Sequence, residues 1–238
     1  MTGRLTGVGV GPGDPELATL RAVRVLAAAE RVFVPVGAGV DEPGHAEQVV
    51  LAHAGAGRVT RLSFALGEDL GERERSWDRA AAAVAGVVGA GGHAAFATIG
   101  DPNLYSTFTH LARAVRALVP AVEIATVPGI TALQDLAARS GTVLAEGAQT
   151  LALLPFTAGA DRLRAALGEH DTVAVYKGGR LLPEVRRALE EAGRAGQAVF
   201  GARLGLAGEL VGPLPDGPAP YLSTVIVTRP PGGRRTRP

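Results

Sequence analysis

Leu5-Thr6-Gly7-Val8-Gly9-Val10-Gly11-Pro12-Gly13-Asp14 is the stretch that decides the fold. The apolar run over residues 5–10 predicts a buried strand, and it ends in a loop dense in glycine and proline. Asp14 is placed to cap a helix over residues 15–29, where Leu17, Leu20, Val23, Val25 and Leu26 recur at roughly helical spacing. Strand, glycine turn and helix make the opening of a βαβ unit, and the chain repeats the alternation. Strands are predicted over 31–36, 59–64, 93–99 and 122–127, with helices over 46–53, 72–88 and 106–118 between them. That order predicts a largely parallel sheet with crossover helices. A second set follows: helices over 131–140, 162–167 and 182–192, and strands over 150–154, 172–176, 199–202 and 223–227, with a loop over 213–220. The expected architecture is two consecutive α/β domains, residues 1–122 and 123–238, with a ligand cleft between them. No fixed-period repeat is present.

The chain has 238 residues, enough for one large or two modest domains and for a core that needs no covalent staples. Cysteine is absent, which removes disulfide scaffolds, thiolate metal sites, iron–sulfur clusters and cysteine nucleophiles together. Hydrophobic residues at 47% and charged residues at 20% are a globular composition, so the 33 glycines read as turns and close approaches rather than as disorder. A net charge of +1 and an aromatic content of 4% give neither a basic stripe nor base-stacking platforms, so no nucleic-acid partner is expected. The one basic cluster, Arg234-Arg235-Thr236-Arg237, follows Pro-Pro-Gly-Gly and reads as a solvated end. Residues 80–100 carry no Asp, Glu, Lys or Arg, yet Gly91-Gly92-His93 interrupts them, so they read as helix, turn and strand rather than a membrane span. The N-terminus lacks a basic segment followed by an apolar run, and a cytoplasmic protein is expected.

Ligands of open α/β sheets bind beyond the carboxyl ends of the strands, and four turns fall at such ends. The first, from Gly7 to Asp14, resembles a dinucleotide fingerprint, but G-x-G-x-x-G fails from Gly7, where the sixth residue is Pro12, and from Gly9, where it is Asp14. A phosphate-binding G-x-x-x-x-G-K-[ST] is excluded, because Lys177 is the only lysine. An acidic residue at the helix entry also suits a pyrophosphate poorly. The second turn is Ile99-Gly100-Asp101-Pro102-Asn103-Leu104-Tyr105-Ser106-Thr107-Phe108, whose Asp101 is either a turn cap or a proton acceptor. Val127-Pro128-Gly129-Ile130-Thr131-Ala132 and Val175-Tyr176-Lys177-Gly178-Gly179 are the third and fourth. Together they predict a cleft lined by backbone groups. The histidines show no metal spacing and no metal is expected; Trp77 reads as a packing anchor, and no nucleophile elbow is present.

These motifs in this order resemble the tetrapyrrole methylases, the corrin and sirohaem methyltransferases that use S-adenosylmethionine, and the resemblance covers essentially the whole chain. It implies two α/β domains with the methyl donor between them, within a homodimer. It also accounts for the failed fingerprint, since that donor carries a sulfonium and an amino acid rather than a pyrophosphate. Residues 100–108 are similar to the G-D-x-x-x-Y-S-T-F stretch of the branch that methylates carbon 20 of precorrin-2 in cobalamin biosynthesis. Glu74-Arg75-Ser76-Trp77-Asp78 and Pro128-Gly129-Ile130-Thr131-Ala132-Leu133-Gln134-Asp135 fit that branch too. By this likeness Pro12, Ile99, Gly100, Asp101, Leu104, Thr131, Ala132, Lys177 and Gly201 match positions that contact the methyl donor, mostly through backbone groups. Lys177 stands where many relatives carry a hydrophobic residue. The acidic residue and lysine that sirohaem relatives use early in the chain have no counterpart around residues 31–36.

The chemistry implied is in-line transfer of a methyl group to carbon 20, with Asp101 as candidate base and Tyr105 beside it to orient substrate or share the proton. A substrate with eight carboxylates calls for a cationic rim, for which Arg61, Arg139, Arg180 and Arg203 are candidates. Open alternatives are the cobalt-bearing analogue of the same substrate, another ring position, and a nucleotide-sensing α/β module that catalyses nothing.

Overall fold

A computed structural model describes residues 2–37, 42–65 and 70–229. The predicted arginine-rich end, 234–237, lies outside the described residues. The chain divides into two compact units, Met1–Thr131 and Ala132–Pro238.

In the first unit β1 (Arg4–Gly9) is followed by a short 3-10 turn, Pro15–Leu17, and then by α1 (Leu20–Ala28). The spacing predicts one helix from 15 to 29; the structure has two pieces. Asp14 caps the first by accepting from the Glu16 amide at 2.9 Å. Thr19, extended at ψ 148°, caps the second by accepting from Ala22 N at 3.1 Å. A hydroxyl that can start a helix competes with one that runs through it. Then come β2 (Arg31–Gly37), α2 (His45–His53), β3 (Val59–Phe64), α3 (Leu70–Gly89), β4 (His93–Thr98), α4 (Phe108–Leu118) and β5 (Glu123–Val127). The strands form one sheet in the order β3-β2-β4-β1-β5, parallel throughout.

Helices cover both faces, so the strands are buried on both sides, as the near-continuous apolar runs predict. Leu5, Phe33 and Phe96 pack with Val84, Val88, Leu111 and Val115 on one face. Val8, Val32, Val34 and Ala97 pack with Ala22, Leu26, Val49 and Val50 on the other. Burying each such large side chain contributes roughly 1.5–3 kcal/mol. Gly7 lets α4 lie close on the sheet, since a Cβ there would sit 2.5 Å from the Phe108 ring. Trp77 of α3 is the packing anchor the sequence predicts, its ring 4.6 Å from that of Phe64 and 5.8 Å from that of His110.

The second unit runs α5 (Ala132–Ser140), β6 (Leu151–Pro155), α6 (Ala160–Glu169), β7 (Thr172–Tyr176), α7 (Leu182–Glu191), β8 (Ala198–Ala202), β9 (Leu210–Gly212) and β10 (Ser223–Thr228). Its sheet has the order β6-β7-β10-β8-β9 and is mixed: β6 and β7 are parallel, while β10 is antiparallel to both of its neighbours. Helices α6 and α7 cover one face around Phe156, Leu163, Val185 and Phe200, and α5 covers the other through Leu133, Leu136 and Ile226.

Two further features depart from the sequence reading, an unpredicted edge strand and the position of the domain boundary. The three residues of β9 are too few to show an alternating pattern. The domain boundary drawn after residue 122 falls elsewhere, because β5 pairs with β1 over Arg4 to Val8 and so completes the first sheet before the chain enters the second unit. Among the described residues no helix is long and apolar enough to cross a membrane.

Candidate functional site

Parallel strands β4, β1 and β5 are neighbours, so their carboxyl ends lie together and their following loops meet. The Gly100 amide donates to Gly11 O at 2.8 Å, an isolated bridge that ties the β4 loop to the β1 loop. Gly9, Gly100 and Gly129 touch backbone to backbone. A Cβ on Gly9 would fall 2.5 Å from Gly100 O and 2.6 Å from Gly129 N, and one on Gly129 would overlap Gly100 O. No other residue type permits that approach. Gly100 itself has φ +70°, and a Cβ there would meet nothing nearer than Thr131 Cα at 3.9 Å, so one face of its peptide is open.

Asp101 locks this junction. One carboxylate oxygen accepts from the Gly129 amide at 3.0 Å and the other from the Asn103 amide at 2.8 Å. Asn103 in turn donates from its side chain to the Thr126 hydroxyl of β5 at 3.3 Å. The Ser106 hydroxyl donates to Thr98 Oγ1 at 3.1 Å and accepts from the Phe108 amide at 3.1 Å, which starts α4 two residues later than the spacing predicts. Tyr105 between them takes a left-handed backbone, φ +52°, and its ring is exposed. Partial burial still raises its hydroxyl pKa above the ordinary phenol value, so at neutral pH it is a hydrogen-bond donor. Pro12, Gly100 and Thr131 are buried; Ile99, Asp101 and Leu104 are half-buried. All six belong to this one junction in the first unit.

The remaining three candidates belong to the second unit. Ala132 opens α5, whose next amide, Leu133 N, donates to the Tyr176 hydroxyl at 3.1 Å. Lys177 leaves β7 with φ +57°. Gly201 lies inside the sheet, paired with Thr224 and Val211, and its Cα faces Leu136, where a Cβ would sit 2.7 Å from a methyl. Its place is explained by helix-on-sheet packing. Of the candidate carboxylate ligands, Arg61 is bound to Glu47 at 2.9 Å, and Arg139 to Asp135 at 2.9 Å and Glu209 at 2.8 Å.

A site of this kind is built from backbone groups rather than from charged side chains. Residues 4–215 match the model of the Tetrapyrrole (Corrin/Porphyrin) Methylases. The chain belongs to that family.

Its relatives among the tetrapyrrole methylases include the precorrin-2 C(20)-methyltransferase of a Sinorhizobium species, 33% identical over 94% of this chain and 95% of the relative. The cobalt-precorrin-2 C(20)-methyltransferase of Salmonella typhimurium is 32% identical over 96% and 98%. The cobalamin biosynthesis protein CobIJ of Mycobacterium tuberculosis is 33% identical over 98% of this chain, which spans only 47% of that relative. Among solved structures, the uroporphyrin-III C-methyltransferase of Thermus thermophilus, in complex with S-adenosyl homocysteine, superposes with a TM-score of 0.67. At 23% identity over 95% of this chain and 98% of that one, it shares the fold of this tetrapyrrole methylase.

Sequence reading missed the contributions of Thr126, which anchors Asn103, and of Tyr176, which caps α5. Thr126 lies in no recognisable motif, and Tyr176 lies in the fourth turn, where nothing local points to a helix 43 residues earlier; only the tertiary fold brings each to its partner.

Proposed function

We propose that this chain methylates carbon 20 of precorrin-2, with S-adenosylmethionine as donor, to give precorrin-3A in cobalamin biosynthesis. The observation that carries the reading is the G-D-x-x-x-Y-S-T-F loop at residues 100–108, folded onto the ends of β1 and β5 in a chain similar over nearly its whole length to two carbon-20 methyltransferases. Bound to the protein, the donor supplies an electrophilic methyl group on a sulfonium. Pro12, Ile99, Gly100, Leu104 and Thr131 are the positions in the first unit assigned to hold it, and Ala132, Lys177 and Gly201 those in the second. The open face of Gly100 supports close approach of a ligand to that peptide.

Asp101 reads best as the brace of this arrangement. Both its oxygens already accept backbone N–H groups, which supports positioning over proton abstraction. Tyr105, protonated and exposed beside it, is suited to donate a hydrogen bond to the substrate. Much of the acceleration then comes from holding carbon and methyl in line, an effect that supplies several kcal/mol. A cytoplasmic homodimer is the working form that the family likeness implies.

The test is anaerobic incubation with precorrin-2 and donor carrying a carbon-13 methyl, followed by mass spectrometry and NMR. One label at carbon 20 is the expected result. A label at another ring carbon would overturn the regiochemistry. Turnover only of the cobalt-bearing substrate would move the chain to that route, and donor binding without transfer to either would favour the sensing module.

A further inference from the structure

We propose that Arg180 and Arg203 form a two-pronged carboxylate clamp at one end of the second sheet, and that it grips side-chain carboxylates of the tetrapyrrole; this rests on the proposed function. The cationic side chains elsewhere in the candidate set are already committed. Arg61 faces Glu47, and Arg139 is held between Asp135 and Glu209. In the same unit Arg164 pairs with Asp161 and Glu191, Arg186 with Asp216, and Arg194 is buried among carbonyls. Among the described residues Arg180 and Arg203 are both exposed and neither makes a side-chain ion pair or hydrogen bond.

The register brings them to one edge. β7 and β8 both run antiparallel to β10, so both reach their carboxyl ends where β10 begins. Arg203 follows β8 directly, and its amide donates to Leu222 O at 3.1 Å. Arg180 follows Gly179, which accepts from the Ala219 amide at 2.7 Å and lies so close to Pro220 that a Cβ would overlap its carbonyl oxygen. The segment entering β10 therefore has one arginine on each flank. Two strand spacings separate β7 from β8, roughly 10 Å, a span over which two prongs can take two carboxylates of one macrocycle rather than compete for one. Arg203 also holds a left-handed backbone, φ +52°, within a turn closed by Leu206 N donating to Arg203 O at 2.9 Å. A non-glycine residue kept in that region is a feature that gathers at binding sites. The planar guanidinium fork matches a carboxylate bidentately.

The probe is uroporphyrin III, an octacarboxylate tetrapyrrole, bound to the full chain at about 0.1 M salt and followed by fluorescence, since salt screens exposed pairs. Arg180→Ala and Arg203→Ala should each weaken binding about threefold, and the double variant about tenfold, the range expected for partly exposed ion pairs. The double lysine variant should recover only part of the affinity, because it restores the charge without the bidentate fork. Arg187→Ala, an equal loss of charge on the exposed side of α7, should change nothing, and calorimetric binding of S-adenosyl homocysteine should be the same in every variant. Equal affinity of the wild type and the double alanine variant overturns the clamp, and so does a wild type that binds no uroporphyrin. Methyl transfer to precorrin-2 is read separately: transfer with unaffected binding retires the clamp alone, and lost binding without transfer by the wild type retires the reaction alone.

Discussion

The Asp101 carboxylate has two oxygens, and backbone amides of two different loops use both. Asn at this position keeps one acceptor and turns an NH2 toward the other amide, leaving a donor facing a donor, at about 1–3 kcal/mol. Asp101→Asn should lower methyl transfer about a hundredfold, the scale of a small displacement in a positioned site. A brace predicts that affinity for S-adenosyl homocysteine, measured by calorimetry, falls with the rate; loss of rate at unchanged affinity would point to a base instead. His93 is a second single residue with a readable consequence. Its Nε2 lies 3.0 Å from Thr6 Oγ1, and its pKa is lowered first by burial and then by the Arg4 charge, with Glu123 opposing. The folded protein therefore prefers the neutral ring. That stabilisation is full above the ordinary value of 6.5 and is lost as pH falls toward the lowered one. Thermal midpoints should drop between pH 7.5 and pH 5.5 in the wild type and drop less in His93→Gln. The pairing of Thr6 with His93 crosses 87 residues of sequence and could be read only from the β1–β4 register.

At the scale of elements, Arg194 ties three of them together at the end of the second sheet. It donates to Thr228 O of β10 at 3.2 Å, to Leu167 O of α6 at 2.9 Å and to Asp171 O before β7 at 3.1 Å. Burial, and next the nearby Arg229 charge, lower its pKa, while Asp171 opposes them. Arg194→Met keeps the volume and removes the donors, so three carbonyls lose their partner. Destabilisation of about 3 kcal/mol is expected, read as a lower midpoint in urea. Most elements are legible in the sequence: periodicity places β3 and β7 to the residue and nearly all others within two, because apolar spacing reports which face is buried. The exceptions have local causes. Thr19 split the first helix, Ser106 shortened α4, and β9 is an edge strand of three residues whose side chains are mostly exposed.

At the scale of the whole molecule, two units each close a core of their own, and the alternation of strand and helix was enough to announce both. Strand order was not announced. Nothing local in Glu123–Val127 says that it pairs with β1 and not with the next sheet, so the boundary moved from 122 to 131. In the second sheet β10 inserts antiparallel between β7 and β8, a direction no local pattern gives, and that insertion sets Arg180 and Arg203 on either side of one segment. The sequence by itself determined the class of fold, the family likeness and the identity of the glycine turns, because these depend on local spacing and on what backbone a residue type allows. Tertiary structure alone decided which charges are free and which are spent. An arginine's role depends on whether a carboxylate lies within hydrogen-bond reach, and that distance is fixed by register between strands far apart in the chain.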